Sequence, residues 1–592
     1  MRKKVSFIFQ LIRKDNRILL IAFAVQIPVC VILPYIQLFL TKTLVAGIEK
    51  QYALHRYVVE IVCIFLLQLG LTATKEWMNV SSEWNRTFMV NSMLGPLDRK
   101  TMSTDYANVE GMAGQAFRQK ALNAVYVFGQ SAVPRGVSLL VNFLGLLFYG
   151  ITVGACNAVV LFVVVLTTVA GYFLTKVLHK YELKQKEVVV ETEKKMQYLD
   201  KEAMSLQAAR EIRLYDMAGM LTSLYQQNRK QRMAIAKKIA AGKCLVNGGG
   251  SLLSCIRDLV AYFYLIFLVA RGQITVSEFV LMVGLVSGLS GWLKGLMEDV
   301  GEIQKMDLYL EDYFAYLNME ETAGKEPTQK MTVCKAPRLE LIQVGFRYEG
   351  ALEDTLKEIN LVIEAGEKLA IVGKNGAGKT TLIKLLAGFY RPTSGRILLD
   401  GVDITSYSRE AYFEAISAVF QDILLLPVGI LQNVSSRTSQ ETDRDRVLQS
   451  LEKAGLHEKV QKLPRGVDTP MHKGVRDDGI DLSGGEQQKV IIAKAVYKKA
   501  DFLILDEPTA ALDPVSESGI YQKYNELSQE MTALFISHRL SSTSFCDRII
   551  LLDEGKVIEQ GNHKSLMEFQ GEYWKMFTLQ SRYYKEGEHL AD

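Results

Sequence analysis

The chain has 592 residues, 49% of them hydrophobic and 23% charged, with a formal net charge of +4 at pH 7. Its length predicts two or three domains rather than one. So small a net charge gives no indication of a nucleic-acid partner, and we expect none. The seven cysteines include no C-x-x-C pair, so we expect packed thiols rather than cysteine metal ligands.

Apolar residues are concentrated in long uncharged runs in the first half of the chain. Residues 1–17 hold six basic side chains around short apolar groups, which predicts an amphipathic elbow helix on a membrane surface. The apolar run at residues 18–40 is too long for the apolar region of a signal peptide and lacks a small-residue cleavage site. We therefore predict that it is a retained membrane span.

Further apolar runs approach the ~20 residues that a bilayer-spanning helix needs. They lie at residues 57–74, 134–152, 156–176, 246–270 and 275–297. Together with the first run, they predict an α-helical transmembrane domain with six spans over residues 18–317. The long connections at residues 75–133 and 177–245 are basic, so we expect helices that extend into the cytoplasm and two cytoplasmic chain termini.

Two adjacent charges, Arg257 and Asp258, lie near the centre of the fifth predicted span. Charges at that depth are costly and should face the bundle interior or a wet cavity. Neighbouring residues on a helix point about 100° apart, so we expect each charge to find a partner elsewhere, with Lys294 or Glu298 as candidates. Contact of Arg257 with cargo and an ion pair that only fixes packing are both open.

Residues 318–338 are polar, contain Pro327 and Pro337 and show no sustained period, which predicts a linker. Strand-like alternation begins at residue 339. From there to residue 592 the chain has the length and the mixed charge of one α/β nucleotide-binding domain.

The stretch from Gly373 to Thr380 reads Gly-Lys-Asn-Gly-Ala-Gly-Lys-Thr, after an apolar run and before a helical pattern. Strand, glycine-rich turn and helix start are the context in which this pattern predicts a phosphate-binding loop, or P-loop. Lys379 has the reach for the outer phosphates of a nucleotide, and the Thr380 hydroxyl suits Mg²⁺. The residues expected to bind nucleotide here are Gly373, Lys374, Asn375, Gly376, Ala377, Gly378, Lys379, Thr380 and Thr381.

A second apolar run, at residues 502–505, ends in the two acids Asp506 and Glu507. A carboxylate at the end of a strand beside a P-loop can hold Mg²⁺ through water, and Asp506 suits that role. The adjacent Glu507 can orient an attacking water and remove its proton.

A serine and two glycines precede a helical pattern at residues 482–488, which predicts a second anion-binding helix start. Its residues are Ser483, Gly484, Gly485 and Glu486. One nucleotide does not need two such sites on one subunit, so we expect the second to serve the nucleotide of another subunit. An ordinary helix cap remains an alternative for Ser-Gly-Gly alone.

This set of motifs resembles the ATP-binding cassette (ABC) transporters, and the layout resembles an exporter-type half-transporter. The resemblance implies a six-span helical domain followed by an α/β P-loop ATPase, with ATP and Mg²⁺ as ligands. It also implies coupling helices near residues 104–119 and 208–215. Further roles that it implies are adenine stacking for Tyr348, Mg²⁺ contact for Gln421, signalling across the dimer for Asp513 and γ-phosphate contact for His538.

The sequence departs from the usual exporter pattern at several positions. Glu486 stands where exporters usually have Gln, and Pro508 where they often have Ala. In residues 474–479, Arg476 replaces a glycine and Asp477 keeps the acid. Glu486 and Pro508 leave the expected activity unchanged, and Arg476 affects the expected detail of coupling rather than hydrolysis.

The expected function is ATP-driven export of a peptide, a lipid or a drug-like molecule across a plasma or inner cell membrane, by alternating access in a dimer. The second half-transporter is either another copy or a different chain. Two alternatives remain: an ATP-gated channel or regulator on the same scaffold, and an importer with an exporter-like membrane fold.

Overall fold

The computed structural model describes residues 17–156, 158–319, 321, 335–506, 514–529, 531–537 and 539–588. The chain divides into two compact units. The helical unit comprises Met1–Met102 and Ala116–Met319, and the sheet unit comprises Ser103–Gln115 and Glu320–Asp592. The predicted elbow helix, apart from Arg17, and most of the predicted linker lie outside the described residues.

Six long helices and one short helix make up the described part of the helical unit. The long helices are α1 (Arg17–Glu49), α2 (Leu54–Ser103), α4 (Met112–Cys156), α5 (Ala158–Met204), α7 (Ala218–Ala270) and α8 (Val276–Leu317), and the short one is α6 (Leu206–Leu214). Helix α3 (Tyr106–Glu110) belongs to the sheet unit. The 53 residues of α7 extend over about 80 Å at 1.5 Å per residue. This length exceeds the ~30 Å hydrocarbon core of a bilayer, so α7 continues well beyond any membrane that it crosses.

Five helical segments among the described residues are long and apolar enough to cross a membrane. They are Phe23–Glu49, Leu54–Val80, Met112–Ala155, Ala218–Ala270 and Val276–Leu317. The span predicted at residues 156–176 overlaps the shorter apolar helix Ala158–Gly171. The helical, membrane-type domain is therefore present, and the count of six spans stays a prediction.

Two groups of buried side chains hold the long helices together. One joins α4, α5, α7 and α8 and includes Tyr149, Leu265 and Leu289. The other joins α2, α4 and α8, and in it the Tyr313 hydroxyl donates to the backbone carbonyl of Met93 at 3.0 Å. Apolar burial thus packs α8 against α4, α5 and α7 in one group and against α2 and α4 in the other.

The adjacent charges of α7, Arg257 and Asp258, pair with each other, so the expectation that each would need a partner elsewhere is wrong. Arg257 is 5% exposed, and its Nε and Nη2 donate to Asp258 Oδ1 at 2.8 and 2.7 Å. Its Nη1 donates to the Ser290 hydroxyl on α8. The long arginine side chain spans the angle between neighbouring positions, which the expectation did not allow for. Lys294 and Glu298, the partners suggested from sequence, lie 3.9 Å from each other with exposed side chains.

A second buried charge, Asp299 on α8, was not singled out from the sequence. It is 1% exposed and accepts hydrogen bonds from two side chains of α4. Asn142 Nδ2 lies 2.7 Å from one carboxylate oxygen, and Arg135 Nη1 lies 3.2 Å from the other. The carboxylate is therefore compensated by an amide and a guanidinium, as a buried charge requires.

Strands of the sheet unit form two sheets. The smaller is antiparallel, in the order β2-β1-β4-β5, and comprises β1 (Leu339–Phe346), β2 (Leu356–Ile363), β4 (Ser394–Leu399) and β5 (Val402–Asp403). The larger has the order β10-β9-β3-β8-β7-β6. Its strands are β3 (Lys368–Gly373), β6 (Ile416–Val419), β7 (Phe502–Asp506), β8 (Thr532–Ile536), β9 (Arg548–Asp553) and β10 (Lys556–Gly561).

All neighbouring strands of the larger sheet are parallel except the edge strand β10, which pairs antiparallel with β9. Helices lie between successive parallel strands from β3 to β8, so the predicted α/β class is observed. They are α9 (Lys379–Leu386), α10 (Arg409–Ala415), α11 (Ile430–Ser435), α12 (Arg444–Lys453), α13 (His457–Gln461), α14 (Gly484–Lys498) and α15 (Pro514–Leu527). Two further helices, α16 (His563–Phe569) and α17 (Glu572–Glu588), follow the last strand.

The pairing within α7 predicts that Arg257→Gln destabilises the fold. The change leaves the Asp258 carboxylate without its ion-pair partner, which costs about 3–5 kcal/mol for a fully buried pair and less here because Asp258 is partly exposed. We expect a clear fall in melting temperature of the detergent-solubilised chain. Lys294→Gln on α8 is the control, because its exposed pair contributes under about 1 kcal/mol. Equal melting temperatures for the two variants would contradict this interpretation of Arg257.

Candidate nucleotide-binding site

The carboxyl ends of the parallel strands bring several predicted site residues to one edge of the larger sheet. Strand β3 ends at Gly373, β6 at Val419, β7 at Asp506 and β8 at Ile536. Gln421 follows β6 by two residues. The P-loop, Gln421 and Asp506 therefore leave the sheet on the same side, where ligands of open α/β sheets bind.

Three predicted site residues, Glu507, Asp513 and His538, lie outside the described residues. In the sequence, Glu507 directly follows the last residue of β7, and His538 lies two residues after the last residue of β8. Their roles remain predictions from sequence.

The P-loop has a backbone that glycine alone adopts easily. Gly376 and Gly378 have φ of +80° and +101°, in the left-handed region. At Gly373, an added Cβ would lie 2.2 Å from the Leu552 carbonyl oxygen of β9. The glycines therefore allow both the turn and the close approach of the loop to its neighbouring strand.

Lys379 opens α9 directly after this turn. Its ammonium donates to the backbone carbonyls of Gly373 at 2.8 Å and Lys374 at 2.9 Å, so the side chain folds back along the loop. The positive end of the α9 dipole and the Lys379 ammonium thus both lie at the P-loop. Of the other loop residues, Lys374 lies 3.5 Å from Asp553, Ala377 is buried and Asn375 is exposed.

The residues described here fit a nucleoside triphosphate with Mg²⁺. The glycine turn leaves the space that side chains would fill, and Lys379 supplies a cation. The Thr380 hydroxyl and the Asp506 carboxylate are oxygen donors of the kind that Mg²⁺ prefers. Asp506 is 7% exposed at the end of β7, and Gln421 is exposed two residues after the end of the neighbouring strand β6.

Tyr348, the predicted adenine-stacking residue, lies beside the first turn of α9. Its hydroxyl is 3.1 Å from the Thr381 hydroxyl. Its ring packs edge-on against Phe346 and Tyr390, with ring centroids 4.9 and 5.5 Å away. An aromatic ring is therefore held next to the P-loop helix, as adenine stacking would require.

Ser483 caps α14. Its hydroxyl accepts from the backbone N–H of Glu486 at 3.4 Å, and the Glu486 carboxylate accepts from the backbone N–H of Ser483 at 2.9 Å. This is a capping box, so the helix-cap alternative describes the geometry of this chain. Gly484 and Gly485 form the first turn of α14. An anion-binding role for these four residues stays a prediction.

A negative charge stands at the start of α14. The backbone hydrogen bond from Ser483 lowers the pKa of Glu486, burial opposes this, and Lys459 Nζ at 3.2 Å adds to the lowering.

Helix α14 packs against β6, which lies three strands from β3 in the sheet. At ~4.8 Å per strand, about 14 Å of sheet separates these strands. This separation supports the expectation that the two sites serve different nucleotides.

Sequence reasoning missed the partners of α3. Lys384 and Tyr390, which follow the P-loop, contact Glu110, and Arg409 contacts Asp105. The coupling-helix expectation named residues 104–119 but no contact. An aromatic residue and an acid four positions apart, Tyr106 and Glu110, share one helical face, and this pattern could have indicated a docking face.

Comparison with known proteins finds a family match for part of the chain and a shared fold for nearly all of it. Residues 356–510 match the family described as ABC transporter. An ATP-dependent lipid A-core flippase of Shewanella oneidensis is 33% identical over 357 residues, covering 60% of this chain and 57% of the flippase. A flippase of the same name from Ralstonia nicotianae is 43% identical over 239 residues, covering 40% of each chain. This chain thus spans about half the length of the curated relatives it matches.

The solved structure of a bacterial Atm1-family ABC exporter with ATP bound resembles this chain with a TM-score of 0.77. The likeness covers 96% of this chain and 99% of the exporter chain at 22% sequence identity. At this identity the likeness shows a shared fold over nearly the whole length.

The close approach at Gly373 predicts that Gly373→Ala destabilises the sheet unit more than Gly376→Ala. The added Cβ at Gly373 would force β3 from β9, whereas at Gly376 nothing lies within 4 Å and only the left-handed φ is strained. Strain of that kind costs about 1–3 kcal/mol. Urea unfolding of the full chain without nucleotide should therefore show a larger loss for Gly373→Ala. Indistinguishable midpoints would contradict the strand contact.

Proposed function

Because residues 356–510 form a domain of the ABC transporter family, in a chain with the fold of an ABC exporter, we propose that this protein is an ATP-driven exporter. It is a half-transporter with six membrane spans and works as a dimer, with either a second copy or a different half-transporter. Both termini lie in the cytoplasm, and the helices cross the plasma or inner cell membrane.

One observation carries this proposal: a single chain joins a P-loop at the edge of a buried parallel sheet to helices that are long and apolar enough to cross a membrane. The first feature binds a triphosphate, and the second places the chain in a bilayer. A soluble ATPase has no need of the apolar helices, and a passive membrane protein has no need of the P-loop.

ATP is held at three points along its length. Tyr348 stacks on the adenine ring, and the residues from Gly373 to Thr381 surround the phosphates. Lys379 contacts the outer phosphates with its ammonium. Thr380, Gln421 and Asp506 would hold Mg²⁺, which would neutralise charge on the phosphates.

Hydrolysis uses the residues after β7 and β8. Glu507 orients a water molecule toward the γ-phosphorus and takes its proton as the new P–O bond forms and the bond to ADP breaks. His538 contacts the γ-phosphate and fixes its position. Asp513 contacts the partner subunit across the dimer.

Each complete ATP site combines two subunits. The P-loop of one subunit and the Ser483–Glu486 segment of the other enclose one ATP. Binding therefore favours the closed dimer, since the contacts from the second subunit exist only in that state, and hydrolysis weakens them. Closure turns the membrane cavity outward, and the release of phosphate resets it.

The cargo is proposed from the relatives. Both flippases reported above are named for lipid A-core, so a lipid is the first cargo to test, before peptides and drug-like molecules. In proteoliposomes, we expect ATP-dependent movement of a fluorescently labelled phospholipid between leaflets, measured by dithionite quenching. Movement independent of ATP would favour a channel, and movement toward the side that bears the ATPase domain would favour an importer.

The role of Glu507 predicts that Glu507→Gln abolishes turnover but keeps ATP binding. The amide has nearly the same shape as the carboxylate and cannot take a proton, so ATPase activity should fall by about 10²–10⁴-fold. Steady-state phosphate release and equilibrium binding of radiolabelled ATP measure the two effects. Lys379→Ala is the control, because it should lose binding as well. Phosphate release near the wild-type rate would reject Glu507 as the base.

The Lys459–Glu486 pair predicts an interaction between two substitutions. Lys459→Met leaves the Glu486 carboxylate uncompensated where the partner's triphosphate binds, so the KM for ATP should rise about two- to fivefold, a modest effect since the pair is partly exposed. Glu486→Gln in the same chain should restore the KM. If the double variant is no better than Lys459→Met alone, Lys459 acts through packing and the charge argument fails.

A further inference from the structure

The short helix α3 is bound to the sheet unit by an aromatic stack and an ion pair. The Tyr106 ring stacks on Phe389, with centroids 4.8 Å apart and planes 25° from parallel. Asp105 lies 3.2 Å from Arg409, with both side chains largely buried, and Arg409 also donates to the Ser103 carbonyl. These contacts fix the position of α3 on residues that follow the P-loop.

Glu110, the last residue of α3, accepts from two residues at once. Lys384 Nζ donates to one carboxylate oxygen at 2.6 Å, and the Tyr390 hydroxyl donates to the other at 2.5 Å. Burial opposes the charged carboxylate, but these two hydrogen bonds outweigh it and lower the pKa of Glu110. Glu110 is thus an anion that holds Lys384 in one place.

Lys384 is also a neighbour of the predicted adenine-stacking ring. Its ammonium lies over the Tyr348 ring, 5.9 Å from the centroid. It lies 5.8 Å from the Tyr106 centroid and 5.9 Å from that of Tyr390. One cation is therefore shared by three aromatic rings and one carboxylate, and a ring face attracts a cation at this distance. Lys384 is therefore one of the contacts of Tyr348, beside Phe346, Tyr390 and Thr381, and Glu110 in turn holds Lys384.

We propose that Glu110 is a positioning residue for the nucleotide base: through Lys384 it holds Tyr348 ready to stack on adenine. Binding of the base and docking of α3 are then linked, and each strengthens the other by the same factor, as thermodynamic linkage requires. This inference rests on the ATP-binding role proposed for the P-loop.

The link involves the base and not the phosphates, which gives a test. Inorganic triphosphate has the phosphate chain and lacks the base, so it reports on the P-loop alone. With the full chain in detergent and EDTA to prevent turnover, Glu110→Gln should weaken ATP binding about three- to tenfold. The affinity for inorganic triphosphate, measured by competition, should stay at the wild-type value.

A matched control lies on the other side of the same segment. Asp105→Asn removes one ion pair of α3, but the Tyr106–Phe389 stack and the Glu110–Lys384 contact still keep α3 docked, so the ratio of the two affinities should not change. Lys384→Met should lower ATP affinity as Glu110→Gln does. The double variant should show no further loss, because both substitutions remove the same support of Tyr348.

The outcomes separate the inference from the function on which it rests. If wild type binds neither ATP nor triphosphate while Lys379→Ala behaves identically, both fail. If wild type binds ATP and Glu110→Gln weakens ATP and triphosphate equally, or changes neither, the positioning role is overturned and ATP binding stands. Additive losses in the double variant would likewise show that Glu110 does not act through Lys384.

Discussion

The site depends on the burial of four neighbouring parallel strands. Strands β3, β8, β7 and β6 pair only with other strands of the sheet, and their residues are almost entirely buried. Polar side chains cannot lie within such strands without cost, so they follow them at the carboxyl edge. The P-loop, Gln421 and Asp506 leave the sheet there because the strands run the same way. The proposed phosphate and Mg²⁺ contacts of these residues follow from that constraint, whereas Tyr348 follows β1 of the smaller sheet.

Sequence patterns were most informative where the residues that form an element or a site lie close together in the chain. The strand, the glycine turn and the helix start around Gly373–Lys379 lie within one short segment, so the pattern alone predicted the observed context. The apolar runs predicted the helical domain for the same reason, since the bilayer sets their length. Ser483 and Glu486 form the capping box that a serine followed three residues later by glutamate favours.

Contacts between distant parts of the chain were beyond such reasoning. Glu110 and Lys384 are 274 residues apart in the sequence, and nothing near either residue indicates the other. Asp299 was not singled out from the sequence, and only the structure shows Asn142 and Arg135 beside it. For Arg257, the error was geometric. Backbone angles on a helix were used where the reach of a long, flexible side chain decides the pairing.

The two buried charge contacts of α8 constrain how the helices around it can move. Ser290 receives a hydrogen bond from the buried Arg257 of α7, and Asp299, nine positions further along, is held by α4. Sliding α8 past α4 would strip the buried Asp299 carboxylate of its partners, at a cost of several kcal/mol. Sliding α8 past α7 would break the Arg257–Ser290 hydrogen bond but leave the Arg257–Asp258 pair of α7 intact. Moving α4, α7 and α8 together breaks neither contact, so these contacts favour rotation of the three helices as a group over sliding of α8 past α4.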